Sequence, residues 1–253
     1  MPRVARRKSA TNIYHLMIRG INHQDIFADD EDYKKFTDIL VKYRAEIEYE
    51  IYAYCLLDNH VHLLMKEGNE PLSNTMKRIG ISYVQWYNWQ YDRKGHLFQD
   101  RYKSEVVEDD RYFLVVLRYI HQNPVKAGLS NNIGEYQWSS YREYISKPEL
   151  VNADFVFKLF HKDPAEARAM FIRFNNELNN DKCLEITAPR KTISDKEIRR
   201  LVKRTFNIDL ASLHSQQLGL QQEVLRYLKG LDGPSLRQLS RLTGLTVNKI
   251  FRS

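Results

Sequence analysis

The alternation of apolar and polar positions divides the chain into strands first and helices later. Asn12-Ile13-Tyr14-His15-Leu16-Met17-Ile18-Arg19-Gly20 predicts a strand, closed by Gly20 and the turn-prone Asn22. After Asp29 and Asp30, both suited to a helix start, Phe36, Ile39, Leu40, Tyr43 and Ile47 recur at helical spacing. Residues 49–57 are rich in β-branched and aromatic side chains, and Asp58-Asn59 is turn chemistry before His60 to Lys66, so the two runs predict a hairpin. A second helix is expected from Pro71 to Tyr91. Its Tyr83, Trp86, Tyr87, Trp89 and Tyr91 suit either a core or base stacking. A polar, basic loop over residues 95–104 leads to a short strand near Glu105-Val106-Val107. Asp109 and Asp110 then cap a helix from Tyr112 to Gln122, expected to stop at Asn123-Pro124 because the residue before proline disfavours the α region.

The pattern beyond residue 145 is helical. A helix is predicted from Pro164 to Leu178, followed by the linker-like Asn179-Asn180-Asp181-Lys182. Ser194-Asp195-Lys196-Glu197 matches a capping box ahead of Ile198, Leu201, Val202 and Phe206. After a helix from Leu218 to Gly230, Leu236, Leu239, Leu242, Leu245, Val247 and Ile250 suit the shared core of two short helices joined at Gly244, a helix-turn-helix.

Composition narrows the class. The 253 residues are 43% hydrophobic and 28% charged, as in a globular protein. No apolar run approaches the roughly 18 to 20 residues that span a bilayer, and the N-terminus lacks the apolar core of a signal peptide. A cytoplasmic protein without a membrane partner is expected. Cys55 and Cys183 form no metal or redox pair in sequence and are read as ordinary thiols. The net charge of +7 is unevenly placed: residues 190–253 hold 13 Lys and Arg against 5 Asp and Glu, and the rest of the chain 26 against 27. The basic excess lies in the C-terminal quarter, next to a short basic arm (Arg3, Arg6, Arg7, Lys8) at the other end. Such patches suit phosphate, and equally a solvated face.

The candidate chemistry starts from His60-Val61-His62. Alternate side chains of a strand point to one face, so both imidazoles project together. Alone, the pair is also what half-buried strand histidines look like. Tyr119 and Asn123 stand four apart near a helix end and share a face. A tyrosine hydroxyl, with a reference pKa of about 10, is a weak nucleophile unless a metal, a base or a cation favours the phenolate. A metal held by His60 and His62 polarises a phosphate under attack, and the Asn123 amide oxygen is available to complete the ligand set. Tyr119 as a core ring and Asn123 as a helix-ending residue remain the alternatives. Gln122, three residues on from Tyr119, stands in for Asn123 if the helix end is twisted. Arg19, Arg101, Lys103 and Lys126 are candidates for holding a nucleic-acid strand.

His60-Val61-His62, the loop Phe98-Gln99-Asp100-Arg101-Tyr102-Lys103, the run from Arg118 to Leu129, and Tyr136-Gln137-Trp138-Ser139-Ser140-Tyr141 together resemble the single-tyrosine HUH transposases, most of all the REP-associated tyrosine transposases. The resemblance covers roughly residues 10 to 145. It implies an α+β, ferredoxin-like domain with an antiparallel sheet and helices mainly on one side. It implies metal ligation by His60 and His62, with Asn123 in the place of the third ligand, and Mg²⁺ as the ion. Mn²⁺ and Zn²⁺ stay open, since imidazole favours softer metals. Tyr119 is implied as the nucleophile, cutting single-stranded DNA to leave a 5′-phosphotyrosine and a free 3′-hydroxyl.

The C-terminal pattern resembles, less closely, the DNA-binding domain of bacterial replication initiators. It places Arg237, Thr246, Asn248, Lys249 and Arg252 among the DNA contacts, the last four on the second helix facing a major groove. The resulting expectation is a domain at 1–145, a helical connector at 146–190 and a small all-α, basic helix-turn-helix domain at 191–253. The function expected is nicking and rejoining of single-stranded DNA at hairpin-forming repeats, by a nucleoid-associated monomer or homodimer. The alternative is a transcriptional or replication regulator with an idle nuclease site. An RNA-binding module leaves the paired histidines and Tyr119 without a task.

Overall fold

The computed structural model describes residues 6–181, 183–184, 193–231 and 233–252. Four strands, β1 (Ile13–Arg19), β2 (Glu50–Leu57), β3 (His60–Lys66) and β4 (Lys103–Val106), pair antiparallel in the order β2-β3-β1-β4. With α1 (Asp30–Ile47) between β1 and β2 and α2 (Leu72–Gln90) between β3 and β4, the chain traces βαββαβ, the ferredoxin-like order of an α+β fold. Asp29 starts α1 through a capping box, accepting from the Asp32 N–H while the Asp32 carboxyl accepts from the Asp29 N–H.

The aromatic rings of α2 divide by burial. Tyr83, Tyr87 and Tyr91 are in the core, their hydroxyls donating to Ile26 O (2.5 Å), Asp25 O (3.3 Å) and Asp32 Oδ2 (2.8 Å). A buried hydroxyl with a partner adds no desolvation penalty. Trp89, 78% exposed, stands apart from them.

The helix that carries Tyr119, α3 (Asp110–Lys126), starts where its cap predicted: Asp109 Oδ1 accepts from the Tyr112 N–H at 2.8 Å. It does not stop at Asn123-Pro124 but runs on to Lys126. Gly128, at φ +70°, ends it instead. Leu129 N–H donates to Pro124 O (2.9 Å) and Gly128 N–H to Val125 O (3.0 Å), the two bonds of a Schellman motif. α3 packs across β2 and β3.

Residues 136–141 lie along the edge of β2. Leu56 N–H donates to Trp138 O and Ser140 N–H to Tyr54 O, and the Trp138 ring stacks on Tyr33 at 4.8 Å. Next come α4 (Tyr141–Ile145), α5 (Ala153–Phe160) and α6 (Pro164–Asn176). Val156 and Phe171 join the same core as the sheet, Phe171 stacked on Tyr144 at 4.4 Å. Arg118 ties α3 to the end of this layer by pairing with Asp181 (2.8 Å) and Glu177 (3.3 Å).

A second core gathers α7 (Asp195–Phe206), the 3-10 segment Leu210–Ser215, α8 (Leu218–Gly230), α9 (Leu236–Thr243) and α10 (Val247–Arg252) around Val202, Leu213, Leu225, Leu228, Leu239 and Leu242. Gly244 joins α9 to α10 at φ +70°, the left-handed conformation that glycine adopts without penalty. Leu236 and Val247, expected inside this bundle, are half-buried: Leu236 packs against both cores, and Val247 packs with Phe251 against the sheet domain. Among the described residues no helix is long and apolar enough to cross a membrane.

Candidate active site

The register of the sheet gathers the site on one face. Arg19 lies opposite His60, Met17 opposite His62, and His15 opposite Leu64 on β3 and Glu105 on β4. Directly opposed residues share a face, so His60, His62, His15, Arg19 and Glu105 project together, while Val61 and Leu63 go to the other side and are fully buried. α3 lies over that face. The His60 and His62 ring centroids are 5.0 Å apart, and the Tyr119 ring stands edge-on to His62 at 5.6 Å.

Each histidine is held through Nδ1. His60 Nδ1 is 2.7 Å from the Asn59 side-chain oxygen, which accepts, so the proton sits on Nδ1 and the lone pair on Nε2. His62 Nδ1 is 2.9 Å from His15 Nε2. Burial drives His62 well below the ordinary histidine pKa, with the neighbouring His60 and His15 adding to the effect. His15 is lowered by burial as well, against the pull of Glu105. A metal ligand must be a neutral imidazole, which is the form this environment favours.

Asn123 is buried beside them. Its amide nitrogen donates to Tyr119 O at 3.0 Å, which assigns the amide oxygen as the remaining donor atom for a ligand. Two imidazole nitrogens and one amide oxygen fit a divalent cation that keeps open positions for phosphate and water. Among the described residues no group of three or more His, Cys, Asp or Glu converges as a metal site, so the set depends on Asn123. Gln122 is turned away, donating to Asn175 O and Glu177 O on the α6 side. His121 faces the same way, fully buried between Asn175 Oδ1 (2.8 Å) and Ser140 Oγ (2.9 Å).

A cavity of about 890 Å³ opens over these residues, lined by Arg19, His60, His62, Tyr119, Asn123 and Lys126 from the sheet domain and by Ser235, Arg237, Gln238 and Arg241 from α9 and its approach. Lys126 Nζ lies 5.0 Å above the Tyr119 ring, a position the extra turn of α3 makes possible. Arg19 contacts His23 at the rim. Arg237 is paired with Asp30 at 3.2 Å and lies 4.7 Å over the Tyr33 ring.

The remaining candidates sit elsewhere. Arg101 lines a second groove of about 720 Å³, between α2 and the 96–102 loop, with Arg6, Lys77, Phe98 and Tyr102. Lys103 is exposed on β4. Thr246, Asn248, Lys249 and Arg252 are exposed at and along α10, where Thr246 Oγ1 accepts from the Lys249 N–H (3.3 Å) at the helix start. Arg3 lies outside the described residues. Sequence patterning missed Asn59, His15 and Glu105. Asn59 reads as turn chemistry, and the other two become visible only once strand register is known.

Residues 8–123, a span containing the whole sheet and all four candidate catalytic residues, match the family described as "Transposase IS200 like". A Haemophilus influenzae protein assigned by name to the REP-associated tyrosine transposases is 25% identical over 157 residues, covering 54% of this chain and 87% of that protein. The fold is also that of a solved REP-associated tyrosine transposase bound to a REP hairpin, with a TM-score of 0.52 at 16% identity over 77% of this chain and 100% of that one. Over residues 8–123 the chain is similar to the IS200-like transposases, and both the curated relative and the solved structure it resembles are REP-associated tyrosine transposases.

Proposed function

We propose that this protein is an HUH-type, metal-dependent single-stranded-DNA endonuclease and strand transferase, with Tyr119 as its nucleophile. The observation that carries the reading is the Tyr119 ring set against His62, beside His60 and Asn123, in one cavity of a single chain. The Tyr119 oxygen attacks a backbone phosphorus and gives up its proton. The bond from phosphorus to the 3′ oxygen breaks, that oxygen takes up a proton, and the 5′ end stays joined to tyrosine. Attack by another 3′-hydroxyl reverses these steps and joins two strands, with the phosphodiester energy kept in the covalent link and no nucleotide consumed.

His60 and His62 through Nε2, and Asn123 through its amide oxygen, would hold the cation, Mg²⁺ or Mn²⁺. When bound it supplies Lewis-acid polarisation of the attacked phosphate. Lys126 and Arg19 sit where the strand's negative charge gathers, and Arg101 with Lys103 serves a second stretch of backbone. By extension from the solved relative, the substrate is single-stranded DNA flanked by a hairpin-forming repeat. The meeting of histidines and tyrosine within one chain supports an active site formed in cis, in a monomer or in each subunit of a homodimer. We read residues 1–145 as the nuclease domain, 146–190 as a connector and 191–253 as a basic helix-turn-helix domain. In that domain Thr246, Asn248, Lys249 and Arg252 meet duplex DNA. The protein then works in the cytoplasm, on the nucleoid.

The test is a labelled single strand carrying a hairpin, incubated with the protein and Mg²⁺ or Mn²⁺ and run under denaturing conditions. A covalent adduct that Tyr119→Phe abolishes is expected. No adduct with either ion would favour a DNA-binding regulator that keeps the fold and not the chemistry.

A further inference from the structure

We propose that His15 is a positioning residue for the candidate metal site, selecting the tautomer and orientation of His62, and that Glu105 anchors it from the far side of β1. The proposal rests on the reading of His60 and His62 as metal ligands.

β1 runs between β3 and β4, and His15 is directly opposite Glu105 and one diagonal step from His62, all on the face that looks toward α3. Its ring is completely buried. A buried imidazole in an otherwise apolar strand is costly unless its polar atoms are used, and a packing role alone is better served by an aliphatic or aromatic side chain. One of its nitrogens is used: Nε2 lies 2.9 Å from His62 Nδ1.

The direction of that bond follows from the groups around it. Two neutral rings share one proton across it. For His62 to ligate through Nε2, its own proton must sit on Nδ1 and be donated to His15 Nε2. His15 then carries its proton on Nδ1, which is buried 3.9 Å from Glu105 Oε2, an electrostatic contact longer than a hydrogen bond, and neither atom has a hydrogen-bond partner. A carboxylate oxygen only accepts, so it selects the Nδ1–H form of His15. The opposite arrangement would aim a lone pair at the carboxylate and place a proton on the ligating nitrogen of His62. Glu105, His15 and His62 thus form a relay that ends at the ligand atom, as outer partners of metal-bound histidines do elsewhere. His60 has its own, shorter support in Asn59.

A merely structural role and this one predict opposite orders for two variants. His15→Phe keeps volume and apolar packing but removes the acceptor. His15→Gln places an amide oxygen near the position of Nε2 and restores it. We expect Mn²⁺ binding by the full-length protein without DNA, followed by the electron-spin resonance of free Mn²⁺, to weaken about 10- to 100-fold in His15→Phe. His15→Gln should stay close to the wild type, and Glu105→Gln should fall between, while thermal melting of the metal-free protein favours Phe over Gln. Wild-type affinity in His15→Phe, or equal losses in the Phe and Gln variants, would overturn the relay. If His15→Phe does not fold, Glu105→Leu decides, since Glu105 is 40% exposed, its side chain carries little packing, and leucine, unlike glutamine, keeps no acceptor oxygen. Unchanged affinity there overturns the proposal. Absence of Mn²⁺ binding by the wild type would remove the metal reading and the relay together, whereas wild-type binding that His60→Ala abolishes confines any failure to the relay.

Discussion

His121 lies two residues from Tyr119 and faces away from the chemistry, buried between Asn175 and Ser140. Burial lowers its pKa from 6.5 to about 4, with the Asn175 bond opposing only in part. The unfolded chain takes up this proton near 6.5 and the folded one near 4, so between those values the unfolded state binds more protons. Stability is therefore complete above about pH 6.5 and falls as pH drops toward 4, by roughly 3 kcal/mol in total and roughly 2 kcal/mol by pH 5. Urea unfolding at pH 7 and pH 5 tests this: the wild type should lose about 2 kcal/mol more than His121→Gln over that interval. Identical losses would show that another group sets the acid sensitivity. The same burial explains what the sequence hides at this scale. His60, His62, Tyr119 and Asn123 are legible because their spacings of two and four express strand and helix periods. His15 and Glu105 stand far apart in the chain and meet only through antiparallel register, which no local pattern carries.

Among the elements, α3 shows how two local signals compete. Proline at 124 lacks an N–H and crowds the preceding turn, which predicts a stop at Asn123. Gly128 four residues later offers a left-handed cap with two well-formed bonds, and the helix takes the later exit. The Asn123 side chain, donating to Tyr119 O, reinforces the turn just before the proline. The extension matters because Lys126, seven residues past Tyr119, then lies on the tyrosine's own face. A Cβ at Gly128 would meet nothing within 4 Å, so a substitution there feels the backbone alone. Gly128→Ala should cost about 1 kcal/mol in urea unfolding and Gly128→Asn less, because asparagine tolerates the left-handed region. Equal stability of the wild type and the alanine variant would count against the Schellman exit. The strands, α1, α2 and the cap of α3 follow from periodicity and capping residues. The attachment of α5 and α6 to the sheet core does not, because amphipathic helices show which face is apolar and not what it meets.

At the scale of the whole molecule, the charge that divides the chain in sequence is partly turned inward. Arg237, expected among the DNA contacts, reaches from α9 to Asp30 and lies over Tyr33, while the Leu236 N–H donates to Asp25 Oδ2 at 3.0 Å. Phe251 completes the contact from α10, against Tyr91 at 5.0 Å and Tyr87 at 6.1 Å. Two separate cores are thereby joined along the wall of the candidate active-site cavity, and α9 supplies that wall. The Arg237–Asp30 pair is partly exposed, so its charge contributes at most about 1 kcal/mol, with the ring contact adding a similar amount. Reversing the charge removes both and sets two acids against each other. All three tryptophans, Trp86, Trp89 and Trp138, belong to the sheet domain, so their fluorescence follows that core while far-ultraviolet circular dichroism follows the helices of both. In urea the two signals should coincide for the wild type, and in Arg237→Glu the circular dichroism should begin to fall first as the undocked helical unit melts alone. Coincident curves with an unshifted midpoint in Arg237→Glu would mean that Phe251 and Leu236 hold the units together without it. That outcome would leave the Arg237 guanidinium, which lines the cavity, available as a ligand for the DNA backbone.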